Sequence, residues 1–278
     1  MLTIELSCAV LLVLYYGLTF ALSRDRSLLA RQVLVLSTAS WLAEDTCIHL
    51  YGFYAYSPRW HLFVDQVPLL IALIWPVVIH SAWTLAGALS SQRTTLRALT
   101  TAALVFTDAA LIEPVAVRAD LWAWTHPGVF EVPVIGVLGW ALFAGSAAWL
   151  LARQRPLIDA VTLLLAPALT HLLLLLCWWS LLRWVEAPIA GWTAAALAWL
   201  VSAAVLVRVL LRRTWRRMPR RELMLRIPAA LFFIVLLVMH GRDDVALVLY
   251  VLAFVPPYLA ATPWLPSSSQ AGSAIPST

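Results

Sequence analysis

Four carboxylates, Glu44, Asp45, Asp108 and Glu113, lie inside apolar stretches of this 278-residue chain, where an ionisable group is costly and usually marks function. A carboxyl group in a low-dielectric site keeps its proton and can act as a general acid. Close by in sequence are His49, one helical turn beyond Asp45, and the aromatic residues Tyr54, Tyr56, Trp75, Trp122, Trp124 and Trp140. Aromatic faces attract cations through the ring quadrupole. A buried acid walled by such rings is equipment for protonating an electron-rich alkene and sheltering the resulting carbocation. The competing role is structural: a carboxylate bonded to a neighbouring helix, or paired with Arg59, Arg118 or His49, would simply hold a bundle together. Asp65, Asp120 and Glu131 are expected in solvated loops or at the interface.

The order of these residues repeats. Asp45 is followed nine residues later by Tyr54-Ala55-Tyr56, then by Val67-Pro68-Leu69, with Trp75 seven residues after Pro68. Glu113 is followed nine residues later by Trp122-Ala123-Trp124, then by Val132-Pro133-Val134, with Trp140 seven residues after Pro133. Only the stretch from second aromatic to proline differs, by three residues. An interfacial aromatic belt and helix-starting prolines account for the residue types, but not for the spacing. The pattern gives two helix-loop-helix units, over 41–80 and 107–145. An even number of spans separates them, so they are parallel, with loops on one side of a shared cavity. On an ideal helix Asp108 and Glu113 are about 140° apart, so one cavity need not receive both.

The elements that position these groups must be membrane helices. Apolar and aromatic residues make up 63% of the chain, charged residues 12%, and the mean hydropathy is +0.88. A soluble core of this size would leave too much apolar surface wet. The expected fold is all-α, a polytopic transmembrane bundle of eight or nine helices. Apolar segments long enough to cross about 30 Å of hydrocarbon fall near 3–22, 32–51, 67–89, 96–117, 132–152, 157–182, 188–211, 227–240 and 245–263. The eighth is short, and is either tilted or joined with the ninth as a re-entrant pair. The first carries Glu5 with no basic residue ahead of it, and reads as a helix of the mature protein rather than a cleaved signal. Residues 1–265 form one membrane domain, and the Ser- and Pro-rich tail 266–278 reads as disordered.

All 19 basic residues are arginine. Fifteen fall in the odd-numbered connections, eight of them (Arg208, Arg212, Arg213, Arg216, Arg217, Arg220, Arg221 and Arg226) in the seventh; Arg59, Arg118, Arg183 and Arg242 lie on the other side. The positive-inside rule then puts the N-terminus outside, in a bacterial or archaeal cytoplasmic membrane. The formal charge of +5 suits contact with anionic lipids, and no nucleic-acid motif accompanies it. Cys8, Cys47 and Cys177 sit in apolar spans without metal-ligand spacing, so neither a metal site nor a disulfide framework is expected. No GxGxxG, P-loop or haem-attachment pattern calls for a cofactor. Nothing fixes the oligomeric state.

The stretch from Asp108 to Trp140 resembles the carotenoid-biosynthesis membrane family that includes the bisanhydrobacterioruberin and lycopene hydratases. The matching residues are Asp108, Glu113-Pro114-Val115-Ala116, Trp122-Ala123-Trp124, Val132-Pro133 and Gly139-Trp140. Upstream, Glu44, Gly52-Phe53, Tyr54-Ala55-Tyr56, Val67-Pro68-Leu69 and Trp75 are similar to that family's first block. Two departures stand out: Gly136 replaces an asparagine, and Arg118-Ala119-Asp120 replaces a stretch with glycine. The resemblance implies hydration of the terminal double bond of an acyclic carotenoid, of the lycopene or C50 type, without a cofactor. Asp108 or Glu113 would be the acid, and Glu44 or Asp45 would take a proton from the attacking water. His49, Trp75, Trp140 and the loop aromatics would line the substrate. A carotenoid cyclase, or a non-catalytic isoprenoid transporter or binding protein, would use much of the same equipment. A prenyltransferase would need Asp-rich magnesium motifs, which this sequence lacks.

Overall fold

The computed structural model describes residues 1–89, 93–152, 156–185, 188–212 and 220–257. Among them are nine α-helices: α1 (Leu2–Leu22), α2 (Arg26–Tyr51), α3 (Leu69–Leu89), α4 (Thr94–Arg118), α5 (Val134–Leu151), α6 (Pro156–Ser180), α7 (Gly191–Arg212), α8 (Arg220–His240) and α9 (Val245–Leu252). Six are long and apolar enough to cross a membrane, as in an integral multi-pass protein. α2 is more polar, because it carries Arg31, Glu44, Asp45 and His49. The expected tail 266–278, and the end of the ninth span, lie outside the described residues.

Helix boundaries follow local chemistry. The Asp25 carboxylate caps α2 by accepting the Leu28 N–H at 2.9 Å, and Asp244 caps α9 through the Leu247 N–H at 3.1 Å. Gly52, at φ 58°, ends α2 in the left-handed conformation that glycine adopts without a Cβ penalty. α8 begins well before the expected 227, so Arg226 is a residue of the helix rather than of the seventh connection.

Two helices contain prolines that leave a carbonyl without its helical N–H partner, and in each another donor takes that place. Pro114 in α4 has no N–H for the Ala110 carbonyl, which accepts the Tyr250 hydroxyl at 2.9 Å instead. Pro76 in α3 leaves the Ala72 carbonyl, which accepts from the Ser40 hydroxyl at 3.3 Å.

The only strands among the described residues lie in the two repeat loops. They are β1 (Tyr54–Tyr56), β2 (Phe63–Val64), β3 (Val67–Pro68) and β4 (Trp122–Trp124). The repeat is longer than its spacing suggested. β2 and β3 form a hairpin closed by Val64 opposite Val67, and Val129 opposite Val132 closes the matching hairpin in the second unit. The three extra residues therefore fall between β1 and the first hairpin. That segment docks on α1: the His61 backbone N–H and Nδ1 lie 2.7 and 2.5 Å from the buried Glu5 carboxylate.

Candidate active site

The two repeats meet edge to edge. β1 and β4 pair antiparallel, with Ala55 opposite Ala123, Tyr54 opposite Trp124 and Tyr56 opposite Trp122. This register is what a local two-fold axis through the alanine pair generates. Side chains alternate along a strand, so the four aromatics share one face of the ribbon. That face turns inward, and the two alanines are exposed.

Beneath the aromatic face sits one carboxylate from each unit. Glu44 Oε2 accepts the hydroxyls of Tyr54 and Tyr56, the second at 2.5 Å, and its Oε1 accepts the Trp75 indole N–H at 2.8 Å. Glu113 Oε2 accepts the indole N–H groups of Trp122 and Trp124 at 2.8 and 2.9 Å, and its Oε1 accepts that of Trp140 at 2.7 Å. In both units the ribbon supplies two donors to one oxygen, and the following helix supplies one donor to the other. The remaining position on each carboxyl group is at Oε1, where a proton or a water can be placed. Burial first, and then the Glu44 carboxylate, push the Tyr54 and Tyr56 phenols well above their ordinary range, so both stay O–H donors.

Both carboxylates and all six donors line one apolar cavity of about 320 Å³, walled by α1 to α6 and α8. Glu113 is only 1% exposed. Gly136 also lines it, and a Cβ there would lie 2.6 Å from the Trp124 ring. A side chain larger than glycine at 136 and the present position of Trp124 therefore exclude one another.

The other expected site residues lie elsewhere. Glu44, rather than Asp45, matches Glu113, because successive helical residues point about 100° apart. Asp45 turns away from the cavity lining, accepts the Gln66 backbone N–H at 3.1 Å and lies 3.7 Å from His49 Nε2. His49 Nε2 is 2.9 Å from Asp65, whose carboxyl is held below its usual range first by that hydrogen bond. Ligand atoms of Asp45, His49 and Asp65 all lie within 4.8 Å of one another, a cation-capable grouping that sequence spacing did not reveal; His49 and Asp65 are exposed.

Asp108 is also missing from the described cavity lining. It faces α8 and takes both terminal nitrogens of Arg226 at 3.1 Å, while Arg226 Nε donates to the Ser81 hydroxyl at 2.9 Å. Sequence reasoning also passed over His171, which lies 2.7 Å from the Thr46 hydroxyl and 3.0 Å from that of Tyr51 and so ties α6 to α2. A lone histidine in an apolar span was the available signal.

A family model described as carotenoid biosynthesis protein matches residues 2–198, which include both repeats and every group that holds Glu44 and Glu113. No curated protein and no solved structure matches the chain. With well over half of its length matched, both repeats included, this membrane protein belongs to the carotenoid biosynthesis protein family.

Proposed function

We propose that the protein adds water across the terminal double bond of an acyclic carotenoid, giving a tertiary alcohol. The observation that carries this reading is the pair of carboxylates, each gripped by three aromatic donors, on the wall of one apolar cavity. Asp108 is engaged by Arg226 and Asp45 faces the loop, so Glu113 takes the part of acid and Glu44 that of base.

Glu113 gives the proton at Oε1 to the alkene CH carbon. The π electrons form the new C–H bond and leave a tertiary cation at the neighbouring carbon, between the Trp75 and Trp140 rings and the ribbon aromatics. A water oxygen attacks that cation, and its proton passes to Glu44 Oε1, completing addition of one H and one OH. Proton exchange then returns the pair to its starting state. The fixed donors stabilise whichever carboxyl group is anionic, and being preorganised they need no rearrangement as charge develops.

The test is expression in cells that accumulate lycopene or an acyclic C50 carotenoid, followed by liquid chromatography and mass spectrometry of the pigments. A gain of one water is expected. An isomer of unchanged mass would replace hydration by cyclisation, in which the cation is quenched by an internal alkene. Unchanged pigment in both hosts would favour a binding or transport protein.

A further inference from the structure

The cavity is covered at the ribbon and bounded by exposed side chains on one flank. Of all the residues lining it, three are exposed: Leu14 and Leu18 of α1, at 54% and 50%, and Ala229 of α8. The ribbon residues that line it, by contrast, are buried or half-buried. The rim is therefore entirely apolar and formed by two neighbouring helices. A polar rim would suit a ligand arriving from water, whereas this one suits a ligand dissolved in hydrocarbon.

Depth carries the exposed flank from the level of the carboxylates to well beyond them. Glu5 marks the ribbon level on α1, since it is bonded to His61. Leu14 lies nine residues further along α1, about 13 Å at 1.5 Å per residue, and Leu18 lies one turn beyond. Glu113 is six residues from the Ala119 cap, about 9 Å below the ribbon end of α4. Glu44, eight residues before the Gly52 cap, is about 12 Å below the ribbon end of α2 and so level with Leu14, whereas Leu18, thirteen residues from Glu5, is about 20 Å down. The exposed flank thus runs from the level of Glu44 deeper into the bilayer. On each wall the lining follows helical spacing: Leu11, Leu14 and Leu18 on α1 face Ala229, Phe232 and Phe233 on α8.

We infer that the α1/α8 flank is a lateral portal for the hydrocarbon chain of the ligand, with one chain end seated at the carboxylates and the rest passing Leu14, Leu18 and Ala229 into the lipid. This rests on the reading that the site acts on the end of a long apolar alkene. It adds the route of access and the recognition of one end at a time. The α8 wall lies beyond the matched residues 2–198, so this part of the site is not described by the family match.

The experiment narrows the portal by Leu14→Trp, Leu18→Trp and Ala229→Trp in the full chain, in membranes. Val13→Trp serves as control, because Val13 is 71% exposed and does not line the cavity. Conversion is measured for a full-length acyclic carotenoid and for a ten-carbon isoprenoid with the same isopropylidene end, short enough to be enclosed. The portal variants should slow the long substrate at least tenfold while changing the short one less than threefold, with the control unchanged on both. Wild-type rates on the long substrate in all three variants, or equal slowing of both substrates, would overturn the portal. If the wild type converts neither substrate, the hydration reading fails by itself. The portal is then read from carotenoid retained per purified molecule: retention lost in the three variants but kept by Val13→Trp supports it, and equal retention overturns it.

Discussion

Trp75 and Trp140 are in contact, with ring centroids 4.8 Å apart and planes tilted by 42°, and each gives its indole N–H to a different carboxylate, Trp75 to Glu44 and Trp140 to Glu113. The two halves of the site are thereby joined at their centre as well as at the ribbon. Any displacement of one ring disturbs the donor geometry of both units.

Glu113→Gln and Glu44→Gln keep the side-chain shape but remove the carboxyl group's proton exchange. At 113 either amide orientation sets an NH₂ against an indole N–H, whereas at 44 the NH₂ can turn to the tyrosine hydroxyls, which can accept. Each variant should lower conversion by about 10²–10⁴-fold, the usual contribution of a positioned acid or base. Pigment analysis against protein abundance in the membrane measures this. Wild-type conversion in either variant would remove that residue from the mechanism.

Asp108→Asn takes away the negative charge opposite the Arg226 guanidinium, a half-buried pair in which each side chain is 16% exposed, at a cost of about 1.5–3 kcal/mol, the order of a hydrogen bond to a charged group. A lower melting temperature in detergent is expected, with most of the loss recovered when Arg226→Gln is added. The double variant should still convert substrate at near the wild-type rate per folded molecule. Equal destabilisation by single and double variants would show that the pairing is not what matters.

Gly136→Ala places a methyl group where the Trp124 ring lies. The ring must move and its N–H leaves Glu113, as it also would in Trp124→Phe. Each change should reduce conversion about tenfold, of the order of one lost hydrogen bond to a charged group. Because both act on one contact, the double variant should be little worse than either single one; a multiplicative loss in the double variant would separate the two residues.

Tyr250→Phe removes the donor to the Ala110 carbonyl that Pro114 leaves unpaired, at a cost of about 1 kcal/mol. In a Pro114→Ala background the helix provides its own N–H, and the same substitution should be close to neutral. Thermal denaturation of the four variants checks the coupling.

Hydropathy made the helices legible, and fixed spacing exposed the two units, because apolar runs and aromatic punctuation are local properties of a chain. Facing is not local. Glu44 and Asp45 are adjacent, and only the packing of α2 against α3 and the ribbon decides which reaches the cavity. Counting back from the aromatics chose Asp45, because Glu44 is eight residues from its Gly52 cap and Glu113 only six from its Ala119 cap, a difference that the one extra residue between Ala119 and Trp122 only half makes up. Asp108 looked equivalent to Glu113 as an intramembrane acid. Its partner lies 118 residues away, in what reads from sequence as the edge of an arginine-rich loop. The pairing of β1 with β4 was likewise hidden, since two three-residue strands carry almost no periodicity.

That pairing also sets an order of events during synthesis. Tyr56 is made 66 residues before its ribbon partner Trp122, which at roughly 5–20 residues per second is an interval of about 3–13 s. Until Trp122 is made, β1 has no partner strand and the Glu44 side of the cavity has no roof. Synthesis of α4 and the turn that follows it is therefore the step at which the ribbon roof can first form, and the walls that α5, α6 and α8 give the cavity are added only afterwards.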